Sequence, residues 1–237
     1  MNKIAVIIPA YNEKENLPKL IDEIKSYHPI AEIYVVDDSK ENFLEKELID
    51  KKDVYYFFRG KKLGRGSAIL YGFKEALKKN FEIYIEMDAD FSHSPNELKT
   101  KIELFYKTNS DLLIASRYLK NSKIINWSIQ RRIFSKMSNI LAKILLKIPV
   151  SDYTNGYRFY SKRAAEKIVN DCGNIGDGFI VLSEILFILH KSNFIINETD
   201  TIFKNRVRGE SSVNLKLILQ SLKGLIKLYN IKKNLTK

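Results

Sequence analysis

Short apolar runs alternate with stretches of helical periodicity along the first half of the chain. The runs at Lys3–Ile8, Glu32–Val36, Val54–Phe58, Ile83–Met87 and Leu112–Ser116 predict strands. Between them, Glu15–Ser26, Gly66–Lys79 and Pro95–Lys107 predict helices, the last with Pro95 in its first turn and Ile102 and Phe105 on one face. These lengths suit βα units, so an α/β fold is expected, with a mainly parallel central sheet flanked by helices. Ligands of such sheets meet the loops beyond the carboxyl ends of the strands. Tyr11-Asn12-Glu13, Asp37-Asp38 and Asp88-Ala89-Asp90 fall there.

After Ser116 the pattern changes. Residues 118–148 carry no acidic side chain, and Ile133, Met137, Ile140, Leu141 and Ile144 recur at helical spacing beside a basic stripe of Arg132, Lys136, Lys143 and Lys147. Two readings stand: a helix lying on an anionic membrane surface, or a helix packed on the core with its lysines in water. A closing helical pattern places Leu215, Leu219, Leu222, Leu225, Ile226 and Tyr229 mostly inward and Lys216, Lys223 and Lys227 outward. With no repeat or linker, the expected division is one domain over residues 1–210 and a helical extension over 211–237, packed on it or continuous with it. Lys136, Lys143 and Lys147 interrupt one apolar stretch and Glu184 another, so neither is expected to cross a bilayer. No signal peptide is expected at the N-terminus.

The 237 residues are 45% hydrophobic, enough to bury a core without disulfides. The single cysteine, Cys172, excludes an intramolecular disulfide and reads as a spectator. Three histidines, His28, His93 and His190, are too scattered for a histidine-built zinc site. A formal charge of +12 favours an anionic partner, whether nucleotide, nucleic acid or acidic lipid.

Asp88 and Asp90 leave the fourth strand one residue apart. They suit a divalent cation, or one holds the cation while the other orients sugar hydroxyls; an acidic loop held by solvent is the alternative. Asp37-Asp38 ends the second strand as a nucleobase or ribose acceptor, or as a turn. Arg59-Gly60-Lys61-Lys62-Leu63-Gly64-Arg65-Gly66 offers phosphate contacts or a solvated loop, without the ordering of a P-loop. His93 reads as a cap for the Pro95 helix rather than a phosphate contact. Glu184 either pairs with a basic active-site residue or lies on the surface.

Joined, the motifs Ile8-Pro9-Ala10-Tyr11-Asn12-Glu13, Val36-Asp37-Asp38-Ser39, Leu63-Gly64-Arg65-Gly66-Ser67-Ala68 and Met87-Asp88-Ala89-Asp90-Phe91-Ser92-His93 resemble those of family 2 glycosyltransferases. Ala115-Ser116-Arg117-Tyr118, Thr154-Asn155-Gly156-Tyr157-Arg158 and Arg208-Gly209-Glu210-Ser211-Ser212 extend the resemblance to the dolichol-phosphate (polyprenol-phosphate) mannose synthases over nearly the full chain.

That resemblance implies a GT-A fold, with residues 1–210 as the catalytic domain. It implies inverting transfer of mannose from GDP-mannose to dolichyl or polyprenyl phosphate, with Mg2+ or Mn2+. Tyr11, Glu13, Asp37 and Asp38 would contact the nucleoside, with Pro9 shaping its pocket. Asp88 and Asp90 would serve the metal and the sugar diphosphate, with Arg206 or Arg208 assisting the latter. Arg117, Arg131 and Ser135 would face the acceptor phosphate. Ser92 stands where some relatives carry a metal-proximal glutamine, and Ser212 where many carry lysine. Transfer of glucose or another hexose is the nearest alternative. A nucleic-acid-binding protein is the alternative of another class, disfavoured because acidic motifs dilute the positive potential where a ligand would bind. The expected location is cytoplasmic, peripherally on the cytoplasmic face of an anionic membrane, with room for a membrane-anchored partner.

Overall fold

A computed structural model describes residues 3–205 and 215–235. The five strands read from the sequence form as β1 (Ile4–Ala10), β2 (Glu32–Asp37), β3 (Val54–Phe58), β4 (Ile83–Glu86) and β5 (Leu112–Ser116). Helices α1 (Leu17–Tyr27), α2 (Glu45–Leu48), α3 (Arg65–Ala76) and α4 (Leu98–Lys107) connect them, α4 following a 3-10 turn at Pro95–Glu97. Along β1, Ile4, Val6 and Ile8 bury against α1 and α4, while Ala5 and Ile7 bury against α3. A strand covered on both faces reads as an unbroken apolar run, which is why β1 was legible.

The second half adds β6 (Lys123–Ile125), α5 (Ile129–Leu146), β7 (Arg158–Ser161), α6 (Lys162–Asp171), α7 (Ile180–Lys191), β8 (Ile196–Asp200), β9 (Ile202–Lys204) and α8 (Leu215–Leu235). The main sheet has seven strands in the order β3-β2-β1-β4-β7-β5-β8. All neighbours are parallel except β7, which runs antiparallel between β4 and β5. Strands β6 and β9 pair separately, beside the carboxyl end of β5. The α/β expectation therefore holds, with one reversed strand inserted into the parallel sheet.

The two amphipathic helices pack differently from the expectation. Helix α5 buries Asn139, Ala142 and Leu146, and its apolar stripe faces outward: Ile129 is 75% exposed, Ile133 55%, Met137 64% and Ile144 63%. The reading of α5 as packed on the core through that stripe is thus corrected. The packing face is polar and small because Asn139 is needed there: it accepts the Tyr153 backbone N–H at 2.6 Å and donates to Ser135 O at 2.8 Å. On α8, Leu225 and Leu228 are buried, whereas Leu219, Leu222, Ile226 and Tyr229 are exposed, correcting their expected inward orientation. Gly224 sets this face, since a Cβ there would lie 2.6 Å from Ile180 Cγ1. Lys232 Nζ donates to Leu146 O at 2.6 Å, tying α8 to the end of α5. The expected boundary at residues 210 and 211 lies outside the described residues, as do Arg206, Arg208 and Ser212.

Glu184 is not on the surface, and among the described residues it pairs with no active-site cation. It is buried on α7, where its carboxylate accepts the backbone N–H groups of Gly173 and Asn174, each at 3.1 Å. Burial pushes its carboxyl up. Burial also pushes the Cys172 thiol up, which leaves it a poor nucleophile.

Candidate functional site

The carboxyl ends of β1, β2 and β4 bring the three acidic motifs to one edge of the sheet. Asn12, in the left-handed conformation at φ 58°, turns the chain after β1, and its N–H donates to Ser39 Oγ at 2.8 Å. That bond joins the Pro9-Ala10-Tyr11-Asn12-Glu13 loop to the Asp37-Asp38 loop. Lys62 Nζ stands 4.3 Å from the centre of the Tyr11 ring. Asp37 accepts Ser39 N–H at 2.8 Å and Tyr56 OH at 2.8 Å. Asp38 accepts Arg59 Nε–H at 2.5 Å and the N–H groups of Leu63 and Gly64 at 2.9 and 3.0 Å. Both aspartates therefore shape the loops around them. The basic loop is not merely solvated, because Asp38 organises it.

Arg65 runs inward from the start of α3. Its guanidinium donates to Glu86 Oε1 at 2.6 Å and to Asp88 Oδ1 at 2.6 and 3.1 Å. Tyr160 OH takes the other Glu86 oxygen at 2.8 Å. Gly156 makes room, since a Cβ there would fall 1.9 Å from Arg65 Nη2. The Asp88 side chain keeps 27% of its surface exposed. Burial pushes its carboxyl up, but the Arg65 guanidinium outweighs that and lowers it to about 2. Asp90 is buried and accepts Ser92 N–H at 3.1 Å.

Among the described residues, no group of three or more His, Cys, Asp or Glu side chains gathers to hold a metal by itself. A magnesium-type ion usually takes one or two protein carboxylates and completes its shell with substrate phosphates and water. Asp88 and Asp90, two positions apart in the chain, are hard oxygen donors of the kind and number that such an ion takes when it arrives with a diphosphate.

The basic residues singled out after β5 also converge. Arg117 is held by a bidentate pair with Asp152, Nε and Nη2 each donating at 2.8 Å, and Nη2 also donates to Thr154 Oγ1 at 2.6 Å. Two guanidinium groups approach the Trp127 ring, Arg117 at 5.5 Å and Arg131 at 4.1 Å from its centre. Arg131 donates to Asn205 Oδ1 at 2.7 Å, and Tyr118 OH donates to Ser135 Oγ at 2.6 Å. Phe203 closes the cluster against Trp127. Trp127 Nε1 is buried and has no hydrogen-bond partner among the described residues.

His93 does not cap the Pro95 turn. Ser94 is the residue before that turn, and the His93 ring instead accepts the Asp88 backbone N–H at Nδ1, 3.0 Å away. Sequence reasoning assigned no role to Trp127, Asp152 or Asn155. Trp127 had a signal, being the chain's one tryptophan within the acid-free basic run. Asp152 had another, as the first acidic residue after it.

A family model described as Glycosyl transferase family 2 matches residues 5–169. The polyprenol monophosphomannose synthase of Mycolicibacterium smegmatis is 33% identical over 215 residues, which are 88% of this chain and 80% of that protein. The dolichol-phosphate mannosyltransferase of Pyrococcus furiosus is 37% identical over 233 residues, 95% of this chain; the chain spans 63% of that protein's length. Among solved structures, glucosyl-3-phosphoglycerate synthase from Mycobacterium tuberculosis in complex with Mn2+, UDP-glucose and phosphoglyceric acid aligns with a TM-score of 0.68 at 16% identity. The alignment covers 97% of this chain and 80% of that one. That likeness carries the fold, which is the expected GT-A arrangement. With the family model spanning most of the α/β sheet and the relatives matching nearly the whole chain, this chain belongs to glycosyl transferase family 2.

Proposed function

We propose that the chain transfers mannose from GDP-mannose to a dolichyl or polyprenyl phosphate, with inversion and with Mg2+ or Mn2+. The observation that carries this reading is the pair Arg117 and Arg131 gathered at Trp127, beside an outward-facing apolar helix and near the acidic edge of the sheet. Two guanidinium groups match a phosphate, and the apolar face of α5 matches a lipid. The names of the two relatives support the same donor sugar and acceptor class.

In this reading Pro9, Tyr11, Glu13, Asp37 and Asp38 line the nucleoside side. Asp88 and Asp90 face the diphosphate, where the divalent ion would neutralise charge on the leaving oxygens. Arg206 or Arg208 would add a cation there. Arg117, Arg131, Ser135 and the unpaired Trp127 Nε1–H face the acceptor phosphate. A lipid phosphate is already ionised near neutral pH, so its oxygen attacks the anomeric carbon without a protein base. The protein's contribution is to hold two anions together in line. A single displacement needs no covalent glycosyl intermediate.

A radiolabelled screen tests this, crossing GDP-mannose, UDP-glucose and UDP-N-acetylglucosamine with polyprenyl phosphate and a water-soluble acceptor. Lipid-soluble label from GDP-mannose is expected. Label from a UDP donor alone would overturn mannose, and label in the soluble acceptor alone would overturn the lipid phosphate.

Arg131→Ala should raise the KM for polyprenyl phosphate about tenfold or more, the scale of one charge-assisted hydrogen bond, while nucleotide affinity by calorimetry stays unchanged. Arg131→Lys should restore only part of the turnover, because a lysine cannot offer two aligned donors. Unchanged acceptor saturation in Arg131→Ala removes Arg131 from the acceptor site.

Among the described residues, no helix is long and apolar enough to cross a membrane. The exposed stripe of α5 between its basic residues supports a peripheral contact with an anionic bilayer on its cytoplasmic face. Flotation with anionic vesicles should weaken as salt rises, and replacing both Ile133 and Met137 with aspartate should abolish it. Retention that ignores both changes would remove α5 from the membrane contact.

A further inference from the structure

The acidic loop after β4 and the arginine after β5 are joined by an unbroken line of hydrogen bonds. Asp88 N–H donates to His93 Nδ1 at 3.0 Å. A backbone N–H is only a donor, so Nδ1 must be bare and the ring proton must sit on Nε2. Nε2–H then donates to Asn155 Oδ1 at 3.0 Å. This orients the Asn155 amide, whose Nδ2–H donates to Ala115 O, two residues before Arg117, at 2.5 Å. The Asn155 backbone N–H donates to Asp152 Oδ1 at 3.0 Å, and Asp152 holds Arg117 by the bidentate pair described above. Nothing in the line is loose. The His93 ring is 1% exposed, stacks on Tyr157 at 5.0 Å and 13°, and meets Phe203 edge-on at 5.5 Å.

We propose that His93, as its Nε2–H tautomer, and Asn155 form a strut that fixes the distance between the donor-side acidic loop and the acceptor-side arginine. His93 is then a positioning residue with two hydrogen-bonding ends: Nδ1 holds the Asp88 backbone, and Nε2, which also lies 3.8 Å from Asp88 Oδ2, places Asn155, Asp152 and Arg117. In-line transfer between two anions depends on that distance, since small displacements of positioned reactants reduce rate steeply. This inference rests on the acceptor reading of Arg117 and adds to it the residues that set its position.

The two ends can be cut one at a time. Asparagine carries its side-chain oxygen where histidine has Nδ1, so His93→Asn keeps an acceptor for Asp88 N–H and loses the donor to Asn155. Glutamine carries its nitrogen near the Nε2 position, so His93→Gln keeps that donor and loses the acceptor. His93→Asn should leave the affinity for Mn2+ with GDP within about twofold and raise the KM for polyprenyl phosphate about three- to tenfold, the scale of one hydrogen bond. His93→Gln should do the reverse. Combining His93→Asn with Asn155→Ala should be no worse than the more damaging single change, because both cut the same bond.

Equal losses at both ends in both variants, or no loss in either, overturn the strut. So does a nitrogen-15 spectrum of the wild-type ring that places the proton on Nδ1. The spectrum and the metal–nucleotide calorimetry do not depend on the acceptor. A wild-type protein that makes no lipid-linked product while giving the Nε2–H spectrum would therefore refute the acceptor reading and leave the Asp88 end of the strut standing.

Discussion

Asp90→Asn is expected to lower sugar transfer by at least about a hundredfold while the protein stays folded, the range for losing one strong electrostatic contact with a transition state. The loop bond at Asp90 should survive the substitution, since an asparagine oxygen accepts Ser92 N–H as the carboxylate does, while the negative charge is lost. The corresponding change at Asp88 would be harder to interpret, since Asp88 balances Arg65 together with Glu86. Turnover at saturating metal and GDP-mannose, read beside the thermal midpoint, measures the effect. Near-normal metal-dependent turnover in the variant would take Asp90 out of the site.

Most of the sheet could be read from the sequence, for a physical reason. Strands β1, β2, β4 and β5 are buried on both faces, so their apolar runs are continuous, and the ends of β1, β2 and β4 are marked by the acidic loops. Strand β7 escaped because it is four residues long and begins with Arg158, a residue type that argues against a central strand. The fold accepts Arg158 there, fully buried, because its guanidinium donates to the carbonyls of Asn155, Tyr153 and Leu182 at 2.8, 3.0 and 2.9 Å. Strand β8 carries Asn197, Glu198 and Asp200 at a sheet edge, where alternation is weak.

The site divides in the same way. Acidic residues at strand ends announce themselves, because topology alone takes them to the ligand edge. The inward course of Arg65 depends on Gly156, ninety-one positions away, and no local pattern contains that. Helices α5 and α8 teach a related lesson. Periodicity identifies an apolar stripe but not whether the core takes it. Here the core takes Asn139 and Ala142 on α5, and Leu225 and Leu228 beside Gly224 on α8. The stripes that remain outside are the surface for which a membrane contact is proposed.

Asp152→Asn should be the most destabilising single change around the Arg117 cluster, at about 3–5 kcal/mol, because it leaves the buried Arg117 guanidinium facing a neutral amide. One oxygen of asparagine cannot replace two. The Asp152 carboxylate accepts both Arg117 bonds and also the N–H groups of Arg117, Thr154 and Asn155, at 3.0, 3.1 and 3.0 Å. An amide nitrogen would point a donor at some of those donors. The acid dependence gives an independent check. Burial alone would push the Asp152 carboxyl up, but Arg117 and the backbone donors outweigh it and hold the group below the usual carboxylate range. A depressed folded value means that the stabilisation is complete above the unfolded value, about 3.9, and fades as pH falls from there toward the folded one. The stability gap between wild type and Asp152→Asn, measured by denaturant unfolding, should therefore be constant from neutral pH down to about 5 and narrow below about 3.9. A gap that stays the same through that acid range would mean that the variant loses shape rather than charge, and the ion pair with Arg117 would not be what holds the cluster together.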